Sequence, residues 1–311
     1  MFLYICRRIV YTVPIALAVA LVCFSLVHLA PGDPLSAVLP PDASAEVVQR
    51  ITQAYGMDRP LPVQFMSWLG RAVQGDLGVS VASGRPVVSE ISSALSYTFV
   101  LALAAALIGF LFGTLFGTLA AFFQGRWADK LMTGIALFGV SVPHYWLGLL
   151  LVIIFSVQLE WLPSLGGGSG PWFNRLRYLV LPAVTMSFIP MGIVARTVRA
   201  TVSELLGSEF VTSLRARGLR SGKIAKHVAK NAAPTVLAVM GLQFGYLLGG
   251  SILVETVFSW PGTGYLLNGA IFQRDIPLLQ GIILVLSMFF VALNLLVDVL
   301  QTLFDPRIRR S

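Results

Sequence analysis

The stretch YTFVLALAAALIGFLFGTLFGTLAAFF, Tyr97 to Phe123, carries no charge, and none occurs between Glu90 and Arg126. About 20 apolar residues in helical conformation cross the hydrocarbon core of a bilayer, so this run spans with residues to spare. Only 12% of the 311 residues are charged and 56% are hydrophobic, whereas a soluble domain carries about a quarter charged residues to keep its surface wet. An isolated apolar run of this length satisfies its own backbone in lipid only as a helix. The chain is therefore expected to be an all-α integral membrane protein.

Working outward, five further segments have the length and apolarity of spans, near Ile9–Ala30, Leu131–Val157, Leu179–Ala195, Ala232–Val254 and Ile276–Val297. The total is six transmembrane helices. Leu179–Ala195 is short and holds Pro182 and Pro190, which membrane helices tolerate when neighbours re-satisfy the freed backbone groups. The first run is too long for the apolar core of a signal peptide and lacks a small-x-small site before Pro31, so it is expected to be a helix. Cys6 and Cys23 lie at the start of that run and inside it, which is not a disulfide framework.

Basic residues set orientation, because cytoplasmic segments of membrane proteins retain Lys and Arg. One side collects Arg7, Arg8, Arg126, Lys130, Arg307, Arg309 and Arg310. It also collects Arg196, Arg199, Arg215, Arg217, Arg220, Lys223, Lys226 and Lys230, fifteen of the twenty-two in all. That side is expected to be cytoplasmic and to hold both termini. The net charge of +8 then reflects topology and anionic lipid headgroups, with no nucleic-acid partner implied. The expected layout is a cytoplasmic N-terminus and first helix (1–30), an outer cap (31–96), a five-helix core (97–303) and a cytoplasmic tail (304–311). Turn sequences PGDP (Pro31–Pro34) and YGMDRP (Tyr55–Pro60) and amphipathic patterns at Ala45–Ala54 and Val63–Val73 make the cap a structured piece on the outer surface.

Two spans carry glycines spaced by four, Gly109, Gly113 and Gly117 in one and Gly241, Gly245 and Gly249 in the other. That spacing puts them on one helix face, where another backbone can approach. Two readings stay open: tight packing within one bundle, or a face turned to a second subunit or to a path that opens and closes.

The segment RARGLRSGKIAKHV, Arg215 to Val228, has six basic residues, five Lys or Arg and His227, and no acid. It imitates a phosphate-binding loop without being one. Such a loop needs four residues between its glycines and then Lys with Ser or Thr. Here three residues separate Gly218 from Gly222, and Lys223 is followed by Ile224. The chain is expected not to bind ATP itself. What remains is a helix, a glycine turn at Gly218 and a second helix capped by Ser221.

This helix–turn–helix resembles the cytoplasmic "EAA" loop of binding-protein-dependent ABC importer permeases, specifically the dipeptide/oligopeptide/nickel/glutathione permease family. The resemblance rests on LRARGL (Leu214–Leu219) followed by KNAAP (Lys230–Pro234), with Leu214 standing where the family has alanine. HLAPGDP (His28–Pro34), YGMDRPLPVQF (Tyr55–Phe65), GDLGVS (Gly75–Ser80) and GLQFGYLLGGSILVETVFSWPGTGYLL (Gly241–Leu267) extend it along nearly the whole chain. It implies the type I ABC importer permease fold in a bacterial inner membrane. It further implies a homologous second permease subunit, two cytoplasmic ATPase subunits that hold ATP and Mg, and a periplasmic solute-binding protein delivering short peptides. Within the loop 204–232, it implies that Glu209, Ser213, Leu214, Arg215, Ala216, Arg217, Gly218 and Leu219 form the element that docks on an ATPase. This chain would carry no cofactor.

Among single residues, Glu255 at the outer end of the fifth span is either interfacial, an organiser of the VFSWPGTG loop, or a cargo contact. Asp298, near Asn294 in the last span, is close enough to Arg307 and Arg309 for a structural role. His28, His144 and His227 do not cluster, so no metal site is expected. Neither HExxH nor GxSxG is present, which argues against hydrolytic chemistry. The competing function is an ion-coupled secondary carrier of small solutes, which would place acids or broken helices at mid-membrane. A pure scaffold explains neither the cap nor the glycine ladders.

Overall fold

The computed structural model describes residues 13–25, 58–249 and 252–304, together with Glu46 and Gln49. Its helices are α1 (Val13–Ser25), α2 (Leu61–Val73), α3 (Val87–Phe122), α4 (Trp127–Ser141), α5 (His144–Leu151), α6 (Trp172–Leu206) and α7 (Glu209–Ala216). They continue as α8 (Ser221–Gly249), α9 (Ile252–Val257), α10 (Thr263–Gln273) and α11 (Ile276–Phe304). One isolated antiparallel bridge, Val79 with Pro86, is the only β pairing among the described residues. The all-α membrane class is borne out.

Four described helices are long and apolar enough to cross a membrane, and α4 with α5 makes a fifth if the bent pair is one span. The expected sixth span, Ile9–Ala30, is described only over Val13–Ser25, too short by itself to cross. Cap positions 31–57, the expected Ala45–Ala54 helix among them, lie outside the described residues apart from Glu46 and Gln49, both helical. The second expected cap helix is present as α2.

The third span is not a straight helix over Leu131–Val157. It bends by 104° between α4 and α5. Pro143 is the cause: the residue before a proline is pushed out of helical geometry, and Val142 is extended at φ −85° and ψ 129°. After α5 the chain makes a π-helical stretch, Val152–Gln158. In α6 the helix runs through both Pro182 and Pro190. Nearby hydroxyls bond back to carbonyls, Thr185 to Leu181 at 2.8 Å and Ser187 to Val184 at 2.7 Å.

The chain divides into two compact units, Met1–Tyr97 with Gly262–Ala292, and Thr98–Pro261 with Leu293–Ser311. In the first, Val87, Ile91, Ala270, Leu278 and Ile282 form an apolar core, and Phe24, Phe65 and Trp68 gather α1 against α2. Asp275 is fully buried and fastens the 78–86 turn, accepting bonds from the Ser80 hydroxyl at 2.5 Å and the Ala82 N–H at 3.1 Å.

In the second unit α6 is packed backbone-to-backbone on two sides. A Cβ added at Gly109 would lie 2.9 Å from the Ser187 carbonyl oxygen, and one at Gly113 2.8 Å from that of Met191. At Gly117 it would collide with the Ala195 carbonyl. Residues 187, 191 and 195 repeat by four, so two i, i+4 rows interlock. On its other side α6 meets α4, where a Cβ at Gly139 would lie 2.8 Å from the Phe188 carbonyl oxygen and one at Gly192 would strike that of Ala136. The first glycine ladder is thus a seam within this chain. In the second ladder Gly245 is buried, while a Cβ at Gly249 would meet nothing within 4 Å.

Candidate functional site

The helix–turn–helix expected from the basic segment is formed by α7, a turn at Gly218 and α8. Its seat is hydrophobic. Val211 and Leu214 of α7 join Val194, Val198 and Val202 of α6 and Ile224, Val228 and Ala232 of α8 in one buried cluster. Positions 211 and 214 are three apart, hence on one face of the short helix. The other face presents Glu209, Ser213, Arg215 and Ala216 to solvent, and Arg217, Gly218 and Arg220 follow them there. Of the residues assigned to the docking element, Leu214 therefore points inward and holds the element in place, while Leu219 is half-buried against the same cluster.

The turn explains why the sequence needs glycine. Gly218 has φ +73°, a left-handed conformation that a Cβ makes costly. Its N–H donates to the Arg215 carbonyl at 2.9 Å, and the Leu219 N–H donates to the Leu214 carbonyl at 3.2 Å. This is the paired 6→1 and 5→2 bonding of a Schellman cap, completed by the apolar contact between Leu219 and the cluster holding Leu214. Ser221 is not the cap of α8 but its first residue, since the Arg220 carbonyl accepts from Lys223 at 2.9 Å and Ile224 at 3.2 Å. Asn231 turns its side chain back to the His227 carbonyl at 2.8 Å.

Glu255, in α9, is fully buried rather than interfacial. Its carboxylate accepts the Thr98 hydroxyl at 2.8 Å, and its carbonyl accepts the Trp260 N–H at 2.8 Å. The following residues are equally held: Phe258 and Trp260 are buried, Ser259 has φ +48°, and the Phe258 carbonyl accepts the Gly166 N–H at 2.8 Å. Of the three readings of Glu255, this geometry fits the organiser of the VFSWPGTG loop.

Sequence reasoning passed over Asp129. It sits in the first turn of α4, almost entirely buried, and is bound in two-pronged fashion by Arg199 of α6. In the sequence Arg199 is one topology charge among fifteen. A carboxylate at the edge of a span, with Gly125 four residues before it and Thr133 four after, was the available signal. Asp298 and Asn294 have side chains outside the described set, as has His28. His227 is exposed and meets the Phe210 ring edge-on at 6.4 Å. No group of three or more metal-ligating side chains occurs among the described residues.

A set of bilayer-length helices, a helix–turn–helix seated on them and a closely packed glycine seam define an α-helical protein of the membrane-spanning class. The family follows from comparison. Residues 113–310 match the family described as "Binding-protein-dependent transport system inner membrane component", and residues 1–102 match the N-terminal part of such membrane components. The chain belongs to this family and is a multi-pass permease of a binding-protein-dependent ABC importer. It is 40% identical over 307 residues to the glutathione transport system permease protein GsiC of Escherichia coli O6:H1, covering 98% of each chain. It is 39% identical, with the same coverage, to the proteins of that name from Escherichia coli strain K12 and Shigella flexneri serotype 5b. In fold it is similar to a chain of the inward-facing MetNI methionine ABC transporter, with a TM-score of 0.57 at 15% identity, over 69% of this chain and 96% of that one.

Proposed function

We propose that this chain is one of two homologous permease subunits forming a path for short peptides across a bacterial inner membrane. A periplasmic binding protein delivers the cargo, and two cytoplasmic ATPase subunits, which hold the ATP and Mg, drive the cycle. Both termini and the loop 204–232 lie in the cytoplasm, and the segment 31–96 caps the outer side.

The observation that carries the reading is the seating of α7. Its apolar face is anchored in the core by Val211 and Leu214, while Glu209, Ser213, Arg215 and Arg217 stand in solvent as a rigid, charged surface. An element so fixed can receive a push without unfolding, which a solvated loop cannot. Peptide cargo is supported by the named relatives, because glutathione is a tripeptide. Of the second glycine ladder, Gly249 is open to a neighbour and available for the second permease, whereas Gly245 is buried within this chain.

The test is to purify the assembled transporter with its binding protein and identify the ligand released on denaturation. A short peptide is expected; an inorganic ion or a sugar in its place refutes the cargo. Labelling single cysteines placed at Ser213 and Ser83 with an impermeant thiol reagent in intact cells tests the orientation. Only the second should react.

A further inference from the structure

The Asp129–Arg199 pair has no part in the docking element or the VFSWPGTG loop, yet its carboxylate accepts four hydrogen bonds. Arg199 Nε donates to Oδ1 at 2.6 Å and Nη2 to Oδ2 at 2.9 Å. The Gly125 N–H donates to Oδ2 at 3.0 Å and the Thr133 hydroxyl to Oδ1 at 3.2 Å. The Asp129 side chain is 7% exposed and that of Arg199 34%. A residue needed only to hold a loop on one side of the membrane requires charge, not a forked geometry. Two parallel bonds from a planar guanidinium specify the direction of approach as well as the charge.

The pair also sits in a particular place. It lies on the α4–α6 seam, beyond the contacts of Gly139 with Phe188 and of Gly192 with Ala136. Those contacts are backbone against backbone, so the two helices touch closely there. In one direction α6 leads through Gly207 and Ser208 into α7. In the other, α4 ends at the 104° bend of Val142 and Pro143. The seam thus lies between the element that receives a push and a hinge that can use it. Coupling between separated sites travels through packed elements whose arrangement is discrete.

We propose that Asp129 and Arg199 are positioning residues for transport: their ion pair locks α4 to α6, so that displacement of α7 reaches the Val142–Pro143 bend instead of being lost as slippage between the two helices. The proposal rests on the assignment of α7 as the docking element.

The experiment uses the complete transporter in proteoliposomes with its binding protein, and reads uptake per ATP hydrolysed. Asp129→Asn keeps the size of the side chain but weakens the fork. Uptake per ATP is expected to fall by about 2- to 30-fold, the span of mutations within a coupling path, while binding-protein-stimulated hydrolysis continues. An unchanged ratio overturns the proposal, because a merely structural pair lowers uptake and hydrolysis together. The second variant is the double D129C/R199C, bridged by a flexible bis-methanethiosulfonate and then reduced. Recovery of the ratio on bridging and its loss on reduction support the lock. Arrest of uptake by the bridge, or no effect of it, overturns the lock, as does failure of both variants to assemble. Gly218→Val measured alongside separates the two readings. Wild-type uptake by that variant removes the docking assignment, whereas a defective Gly218→Val with an unchanged Asp129→Asn ratio removes only the lock.

Discussion

Replacing Gly218 with valine isolates the backbone of the proposed docking turn from its packing. A Cβ at this position meets nothing within 4 Å in this chain, so a defect within the subunit comes from conformation and not from collision. The residue sits at φ +73°, and a left-handed residue bearing a Cβ costs roughly 1–2 kcal/mol, with a β-branched side chain at the upper end. The chain can escape this cost by abandoning the turn. It then loses the Gly218-to-Arg215 and Leu219-to-Leu214 hydrogen bonds, each of which contributes about 0.5–1.5 kcal/mol, and the seat of Leu219. Either route costs about 1–3 kcal/mol, equivalent to about a 5- to 150-fold loss of correctly turned loop. The turn is exposed and no seam glycine is altered, so subunit abundance should remain near wild type. Uptake in whole cells, normalised to the permease on immunoblots, should rank Gly above Asn, Asn above Ala, and Ala above Val, because Asn tolerates the left-handed region. Wild-type uptake by Gly218→Val, or Gly218→Asn as defective as valine, refutes the reasoning.

Gly192→Val drives a side chain into the Ala136 carbonyl and should destabilise the bundle by about 1–3 kcal/mol, whereas Gly134→Ala, with nothing within 4 Å, should be neutral; thermal melting in detergent compares them. Glu255→Ala removes the carboxylate that accepts the buried Thr98 hydroxyl and should cost about 1–3 kcal/mol, with Glu255→Gln milder because an amide oxygen still accepts that bond; the same melt ranks the two. Arg215, Arg217 and Arg220 are all exposed, and Gln variants of each, assayed for ATPase subunits retained on washed membranes, should show Arg217 as the one that matters. Equal retention in all three leaves them topology charges.

Much of this molecule was legible in one dimension for a physical reason: a membrane span must satisfy its backbone within its own segment. Tyr97–Phe123 needs no partner to be recognised as a helix. The asymmetry of Lys and Arg is likewise a sum over segments, and it indicates sidedness without a fold. Gly218 was readable because a left-handed turn is a local demand that glycine meets at least cost, whereas the expectation of one span over Leu131–Val157 passed over the bend at Pro143. The sequence pattern also carried the family, because its motifs recur in order along the chain.

Tertiary structure decided what depends on two segments at once. Gly109, Gly113 and Gly117 were equally suited to an inner seam or an outer face until Ser187, Met191 and Ala195 were found against them. Glu255 changed from an interfacial acid to a buried anchor because Thr98, far away in sequence, reaches its carboxylate. Asp129 and Arg199 are seventy positions apart, and each alone looks like one more charge at the end of a span. A bidentate bond is a property of distance and angle between helices. No period or composition along the chain encodes it, so only the packed bundle turned two scattered charges into a single joint.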